Sequence, residues 1–268
     1  MDNYISDDNS DVSTLHSEAD LIRSNEADSI NDAYAEKIAV EEALAAEDSK
    51  ELEETEDGAE DVYPDCVSVI NYHNITHDDM LNGDGLRVVL WVAGCDHHCK
   101  GCQNPCTWDP NGGIPLSEKD ESEFWEWLGK SWTQGATFSG GDPLHPANRG
   151  YIGYMIEKIK KEFPGKDIWL YTGYTLKKTE DGFVFADANG KTFSYPYLKD
   201  IDVLVDGMFE EETRKADIAA QKTVHWRGSS NQNLIDVKKT LLRGEIVTKK
   251  CDEDTAYCCG RQGGGCGA

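Results

Sequence analysis

The chain has 268 residues and a net charge of −25, enough length for one large domain or two small ones. Its acidity is concentrated at one end, because residues 1–65 carry 22 acidic and 3 basic side chains and residues 66–268 carry 29 acidic and 23 basic ones. Neither part has the basic excess of a nucleic-acid-binding surface or an apolar run near the roughly 20 residues of a membrane span, so we expect no nucleic-acid partner and no membrane.

Residues 1–60 are rich in Asp, Glu, Ser and Asn and offer too little apolar surface to offset the entropy of ordering. We predict a disordered acidic N-terminal tail with a weak helix over 31–54, serving either as a docking arm or as a solvated spacer. The first ten residues have neither the basic nor the apolar segment of a secretory signal. Together with the clustering of the nine cysteines, this favours a cytoplasmic location, where reducing conditions keep thiols available for metals.

The ordered part is predicted to begin near Tyr63 with two strands. The first covers Cys66–Tyr72 and buries the Cys66 side chain. A turn cluster at Asn82–Gly85 leads into the second, an apolar and β-branched run over Val88–Ala93 with the length of a buried strand. The chain leaves this strand at Gly94, and α/β architectures place their chemistry on loops at such carboxyl ends.

Three thiols follow at once in the spacing C-x3-C-x2-C, at Cys95, Cys99 and Cys102. Three cysteines of one short loop can hold a [4Fe–4S] cube by three of its irons and leave the fourth iron without a protein ligand, whereas electron-transfer clusters take four thiolates. The alternatives are a zinc knuckle or packed thiols. The loop contains His97 and His98, but zinc sites usually pair C-x2-C units with ligands further along the chain.

After this cysteine loop, strands and helices alternate. Ser117 and Asp120 resemble the capping box that opens a helix, and the break before Pro164 ends another. The alternation predicts βαβ units with right-handed crossovers. The expected elements are a helix through Lys130, a strand over Ala136–Phe138, a helix over Asn148–Glu162 and a strand over Asp167–Tyr171.

Residues 177–195 break this alternation with two alternating segments about Asn189-Gly190, which predict a β-hairpin that is either a partner contact or a surface decoration. Ile201–Val205 and Thr223–Trp226 are then expected to be strands and Asn233–Leu242 the final helix. Six or seven strands in this order predict an α/β fold of the partial, open (βα) barrel type.

Five stretches in order carry a resemblance to a known family. They are WVAGCDHHCKGCQNPCTW around the thiols, FSGGDPLHP at Phe138–Pro146, YTGY at Tyr171–Tyr174, DVLVDGMF at Asp202–Phe209 and RGSSNQNLIDV at Arg227–Val237. Residues 61–243 resemble the anaerobic ribonucleoside-triphosphate reductase activating proteins, which are radical S-adenosylmethionine enzymes. The resemblance implies a catalytic domain over 61–243 with the hairpin at about 177–195 as an insertion, followed by a tail over 244–268.

The resemblance also implies the chemistry. A [4Fe–4S] cluster on Cys95, Cys99 and Cys102 would bind S-adenosylmethionine at its free iron and cleave it reductively to a 5′-deoxyadenosyl radical, with the cofactor performing the hard step. The radical would take hydrogen from a glycine of an anaerobic ribonucleotide reductase. The implied partners are that reductase and an electron donor such as flavodoxin or a thiol reductant.

Further site residues follow from the same resemblance. Gly140, Gly141 and Asp142 resemble the GGE-type motif, in which glycine lets a strand-end carbonyl approach the ammonium group of the cofactor; read alone they are a turn. Gly101, Cys102 and Gln103 are expected on the adenosine side, although Gly101 removes the aromatic side chain that the wider superfamily has before its third cysteine. The side chain covering the adenine is therefore left open.

Two later positions have competing interpretations. Thr172 and Asp206 end strands on the expected active face, and Asp206 is either a cofactor contact or a plain strand terminus. In RGSSNQ, Ser229, Ser230 or Asn231 can cap the final helix, while Arg227 can bind a carboxylate of the cofactor or the partner.

The remaining cysteines fall outside the three-thiol pattern. Cys106 is interpreted as incidental. The four near the carboxyl terminus suit a zinc site, a second cluster, thiol–disulfide exchange or a tail of no fixed role; they are Cys251, Cys258, Cys259 and Cys266.

Two other functions remain open from the residues. One is a radical S-adenosylmethionine enzyme acting on a small molecule, such as a deazapurine-forming synthase. The other is a non-catalytic metal-binding adaptor that docks through its acidic tail and cysteines.

Overall fold

The computed structural model describes residues 69–249. This part of the chain forms ten strands and four α-helices. The strands are β1 (Asn71–Asp79), β2 (Leu86–Val92), β3 (Ile114–Pro115), β4 (Thr133–Gly140), β5 (Asp167–Tyr171), β6 (Thr175–Thr179), β7 (Gly182–Ala186), β8 (Thr192–Phe193), β9 (Val203–Asp206) and β10 (Asn233–Asp236). The helices are α1 (Glu118–Leu128), α2 (Arg149–Glu162), α3 (Glu211–Ala219) and α4 (Val237–Arg243).

Seven strands form one sheet in the order β10-β9-β5-β4-β2-β1-β3. Its centre is parallel, because β2 pairs with β4, β4 with β5 and β5 with β9 in the same direction. Strands β10, β1 and β3 add antiparallel pairs at the two sides. The predicted α/β class is confirmed as a large, mostly parallel mixed sheet with helices.

Local sequence explains where the central elements begin. Strand β2 follows a turn in which Gly83 and Gly85 have φ of 137° and 69°, values that suit glycine. Helix α1 begins at the predicted capping box, where the Ser117 side chain accepts from the Asp120 N–H and the Asp120 carboxylate accepts from the Ser117 N–H. Helix α2 matches the predicted helix almost residue for residue.

The main core lies between one face of the sheet and helices α1 and α2. Alternate residues of the parallel strands point to it, as the period of a strand requires. Each fully buried aliphatic or aromatic side chain contributes roughly 1.5–3 kcal/mol. The strand residues are Val88, Leu90, Val92, Ala136, Phe138, Ile168, Leu170 and Leu204, and the helix residues include Phe124, Leu128, Ile152, Met155, Ile156 and Ile159.

The other face of the sheet carries Arg87, fully buried. Its guanidinium donates to Thr137 Oγ1 at 2.7 Å and the Ala136 carbonyl at 2.7 Å, and its Nη2 lies 2.6 Å from an oxygen of Asp167. Burial lowers the pKa of Arg87 and the Asp167 carboxylate opposes that shift. This face therefore holds a buried charge that is paired and hydrogen-bonded, as burial requires.

Three of the predicted elements are corrected by the structure. The first strand is β1, which begins at Asn71, whereas Cys66 lies outside the described residues. Thr223–Trp226 is loop, because Trp226 has a φ of 50°, incompatible with a strand, and stacks edge-on against Trp169 at 5.2 Å. Residues 233–236, predicted as the start of the final helix, form strand β10 instead. Their apolar pattern suits a helix or a strand, and backbone pairing with β9 selects the strand.

Helix α3 and strand β6 have no counterpart in the prediction. Six of the nine residues of helix α3 are polar and its buried residue is Asp217, so it lacks the apolar stripe that periodicity detects. The hairpin about Asn189-Gly190 is present as β7 and β8, and β6 extends it to a three-stranded sheet in the order β6-β7-β8.

The predicted acidic tail over 1–60 and the four carboxyl-terminal cysteines lie outside the described residues. Residues 244–249 are described, and Thr248 bridges to Ile235 of β10. Across residues 69–249, no helix has both the length and the apolar character that crossing a membrane demands.

Candidate functional site

The cysteine loop begins where β2 ends and is closed by its own backbone. The Gly94 N–H donates to the Thr107 carbonyl at 2.8 Å and the Cys95 N–H to the Trp108 carbonyl at 2.9 Å. Cys95, Cys99 and Cys102 are half-buried within the loop, and Cys106 is exposed. The loop therefore holds the three predicted ligands together at the carboxyl edge of the parallel strands.

Backbone N–H groups surround the three sulfurs. Each of the three predicted ligand thiols accepts from at least one backbone N–H: Cys95 from His97, Cys99 from Phe209 and from its own N–H, and Cys102 from Asn104 at 3.4 Å. Donors of this kind stabilise sulfur that carries negative charge, and hydrogen bonds to sulfur tune the potential of iron–sulfur clusters. The thiols thus fit a metal cluster better than a packed apolar core.

Cys95 and Cys99 keep their protons unless a cation joins them, because the pKa of each thiol is raised. Burial, and then the nearby Asp142 carboxylate, raises the pKa of Cys95 to about 12. Burial also raises the pKa of Cys99. A metal centre supplies the positive charge that removes such protons, because coordinating thiols are deprotonated outright.

The predicted glycine loop lies directly against the cysteine loop. Gly141 donates to the Val92 carbonyl and Asp142 to the Gly94 carbonyl, each at 2.7 Å. A Cβ on Gly140 would meet the backbone of Trp91 at 2.7 Å, and one on Gly141 would meet the Gly94 oxygen at 2.5 Å. Close backbone approach therefore requires glycine at both positions.

Asp142 is 1 % exposed, and its carboxylate is occupied by protein donors. It accepts from the Leu144 N–H at 2.8 Å, Thr172 Oγ1 at 2.9 Å and the Gly173 N–H at 2.9 Å. His97 Nε2 lies 2.7 Å from its second oxygen. Because these donors all belong to the protein, Asp142 is placed to orient the glycine loop.

Asp206 is fully buried at the end of β9. Its carboxylate accepts from the Leu176 N–H at 2.7 Å and Asn233 Nδ2 at 2.8 Å. Burial raises its pKa, against the effect of these hydrogen bonds. Its present partners fasten β6 and β10 to the end of β9.

Gly101 and Gln103 are exposed on either side of Cys102. Gly101 has a φ of 72°, and a Cβ there would lie 2.9 Å from the side chain of Glu211 at the start of α3. Lys100 also reaches Glu211, at 3.3 Å. The far end of the cysteine loop therefore packs against the amino-terminal end of α3.

The RGSSNQ stretch fastens neighbouring loops. Arg227 Nη1 donates to the Gln232 carbonyl at 3.0 Å, and the Gln232 side chain bridges Gly228 and Gly207. The prediction that Ser229, Ser230 or Asn231 caps the final helix is wrong. Asp236 caps α4 by accepting from the Lys239 N–H at 3.0 Å.

Several residues that the sequence did not assign complete this assembly. Asn148 Nδ2 donates to the carbonyls of Ala93 and Asp142, and His145 lies 3.2 Å from Asp96. The spacing of His97 disfavoured a zinc ligand and gave no sign of its contact with Asp142. Contacts between loops of separate strands carry no local sequence signal.

One further donor set bears on the zinc alternative. Donor atoms of Cys95, His97 and Asp142 lie within 4.8 Å of one another. The imidazole and the carboxylate already bond each other at 2.7 Å, so they act as partners across two loops.

Comparison with known proteins gives consistent matches. Residues 81–235 match the family model of a 4Fe-4S single cluster domain. The chain is 39 % identical over 165 residues to the protein named anaerobic ribonucleoside-triphosphate reductase-activating protein in Pasteurella multocida (strain Pm70), a match covering 61 % of this chain and 95 % of the relative. Relatives of the same name in Enterobacteria phage T4 and Escherichia coli (strain K12) are also 39 % identical. The match covers 62 % of this chain and 93 % of the length of the phage protein, and 61 % of this chain and 96 % of the length of the Escherichia coli protein.

Proposed function

The chain belongs to the family of anaerobic ribonucleoside-triphosphate reductase-activating proteins, and from this premise we propose that it uses S-adenosylmethionine and a [4Fe–4S] cluster to form the glycyl radical of an anaerobic ribonucleotide reductase. The observation that carries the proposal is the cysteine loop, in which three thiols each accept a backbone hydrogen bond at the carboxyl edge of the sheet. A partial, open (βα) barrel would be the corresponding arrangement of such a sheet around the site.

Cys95, Cys99 and Cys102 would hold the cluster. When bound, the cluster would supply the one electron that breaks the S–C5′ bond of S-adenosylmethionine, giving methionine and the 5′-deoxyadenosyl radical that takes a hydrogen atom from the substrate. The thiols, their N–H donors and the burial of Cys95 keep this site together and limit its contact with water.

The glycine loop would hold the amino-acid end of S-adenosylmethionine. Gly140 and Gly141 leave their backbone without side-chain cover beside the cysteine loop, so a carbonyl can accept from an ammonium group. Asp142 orients this loop through its protein partners. Gly101, Cys102 and Gln103 would line the adenosine side, and Asp206 would add a buried carboxylate at the neighbouring strand end.

The glycyl-radical subunit of the reductase would be the substrate. A reducing partner, flavodoxin or a thiol reductant, would deliver the electron. The amino acids assigned to the cluster and the cofactor all lie at one edge of the sheet, as a shared reaction site requires.

The test is anaerobic reconstitution of the full chain with iron and sulfide. We expect about four irons per chain, reductive formation of 5′-deoxyadenosine, and a glycyl doublet in the electron paramagnetic resonance spectrum of the reductase after mixing. Cys95→Ala, Cys99→Ala and Cys102→Ala should each abolish 5′-deoxyadenosine formation, because each removes one cluster ligand.

The matched control is Cys106→Ala, a thiol of the same loop that is exposed. It should keep both iron and activity. Zinc in place of iron, or a dead Cys106→Ala variant, would refute the ligand assignment. A cluster that cleaves S-adenosylmethionine without a glycyl signal would instead favour a small-molecule substrate.

A further inference from the structure

We propose that His97 is a positioning residue that fastens the cysteine loop to the glycine loop through Asp142 and so sets the geometry of the cluster site. This inference rests on the proposed function. It adds a residue that neither binds the cluster nor contacts S-adenosylmethionine in that proposal. His97 lies between the first two ligand cysteines, yet its side chain points to a different loop.

The imidazole occupies a defined slot. Its side chain is 8 % exposed, and Nε2 donates to Asp142 Oδ2 at 2.7 Å. A Cβ on Gly173 would lie 2.4 Å from the ring, so that glycine makes room for it. Tyr174 closes the slot edge-on, with ring centroids 4.7 Å apart. A side chain packed this closely on several sides has little rotamer freedom.

The acceptor is equally immobile. Asp142 is held by donors from its own loop and from the loop after β5, where Thr172 and Gly173 lie. A carboxylate that accepts from several fixed donors has a fixed orientation. His97 therefore connects the cysteine loop to a support made by two other strand ends.

The same residue touches the cluster site through its backbone. The His97 N–H donates to the Cys95 sulfur. Fixing the imidazole on Asp142 fixes this N–H, and hydrogen bonds to sulfur raise the potential of iron–sulfur clusters by stabilising the reduced form. Releasing the side chain should therefore loosen that hydrogen bond and lower the potential.

The test uses the reconstituted full chain and two conservative probes of the donor. His97→Ala should lower the midpoint potential of the cluster, weaken the change that S-adenosylmethionine produces in the spectrum of the reduced cluster, and cut kcat for 5′-deoxyadenosine formation by about tenfold, the effect of losing a support beyond the metal ligands. His97→Gln should restore the potential, because its amide nitrogen can occupy the position of Nε2. His97→Asn, one methylene shorter, should not.

A second route displaces the ring and keeps every atom of His97. Gly173→Ala places a methyl group in the slot and should reproduce the lower potential of His97→Ala. The matched control is His98→Asn, at the neighbouring exposed position, whose φ of 48° asparagine tolerates. It should keep the wild-type potential and kcat.

The outcomes separate this inference from the proposed function. A wild-type chain that binds no cluster or cleaves no S-adenosylmethionine defeats the proposed function. A competent wild type whose potential and spectrum are unchanged in His97→Ala defeats the positioning role alone. If the His97→Ala chain loses its iron, the His97→Gln chain provides the test. Iron content and potential restored in His97→Gln support the positioning role, and a His97→Gln chain that also lacks them overturns it.

Discussion

Asp202 joins three elements at the start of β9. Its carboxylate accepts from Lys160 of α2 at 2.9 Å, from Lys238 of α4 at 2.7 Å and from the Ile168 N–H of β5 at 2.8 Å. Burial would raise the pKa of Asp202, but the two ammonium groups and the N–H lower it below its usual value. This residue therefore contributes stability that depends on pH.

Asp202→Asn should destabilise the apo chain at pH 7 by about 1.5–3 kcal/mol, the range for hydrogen bonds to a charged group. Because the folded pKa lies below the unfolded one, the contribution is complete above about pH 4 and is lost as the pH falls through the folded pKa. Urea unfolding between pH 7 and pH 3 measures it. The difference between variant and wild type should shrink in acid, and a difference independent of pH would contradict the assignment.

Asp181→Asn is the control for this experiment. Asp181 lies exposed in the turn between β6 and β7. A surface substitution of this kind should change stability by less than about 0.5 kcal/mol at either pH.

At the scale of elements, the three-stranded sheet β6-β7-β8 is part of the core. Leu176 of β6 and Phe185 of β7 are buried there, and Phe185 stacks with Phe193 at 5.6 Å. Tyr174, which closes the His97 slot, leads into β6 and packs edge-on against Phe193. The three-stranded sheet thus packs behind Tyr174 and supports the slot that holds His97.

Phe185→Ala should destabilise the protein by about 3–5 kcal/mol, the cost of a cavity at a fully buried aromatic position. Phe183→Ala, two residues earlier on the same strand, is the comparison. Phe183 is half-buried beneath Lys178 and should cost less than half as much. Equal losses in chemical denaturation would indicate that the sheet is only a surface decoration.

At the scale of the whole molecule, a cluster on the cysteine loop would connect distant parts of the chain. Cys99 accepts from Phe209, which lies beyond β9, while Asp142 joins the loops after β4 and β5. Any ligand that binds the folded state alone raises its apparent stability. Loading the cluster should therefore raise the thermal unfolding temperature of the entire domain.

The size of this increase should depend on pH. With the pKa of Cys95 at about 12, the apo site binds a proton that the cluster must displace. Metal binding that releases protons strengthens as the pH rises. Anaerobic thermal denaturation of apo and loaded protein should give a larger increase at pH 8.5 than at pH 6.5. An increase that is equal or larger at pH 6.5 would mean that the thiols are already ionised.

A chain with Cys95, Cys99 and Cys102 all replaced by alanine is the control for cluster loading. It should show no increase in unfolding temperature at either pH. An increase in that chain would place the stabilising metal elsewhere.

Several parts of this protein were predictable because their signals are local. The turn before β2, the Ser117 capping box, helix α2 and the hairpin about Asn189-Gly190 each depend on neighbours within a few residues. The thiol spacing belongs to the same class, since one loop contains all three sulfurs. Helix α3 escaped prediction because its contacts, such as Glu211 beside Gly101, involve remote residues.

The sequence by itself determined the family, the α/β class and the three thiols at the end of a buried strand, because motif order and apolar periodicity are properties of consecutive residues. Only the tertiary structure decided that residues 233–236 pair with β9 as a strand and that Asp142 is already engaged by four donors. It also brought His97 to that carboxylate. Sheet pairing and contacts between loops depend on residues far apart along the chain, and they exist once the parallel strands align their carboxyl ends at one edge.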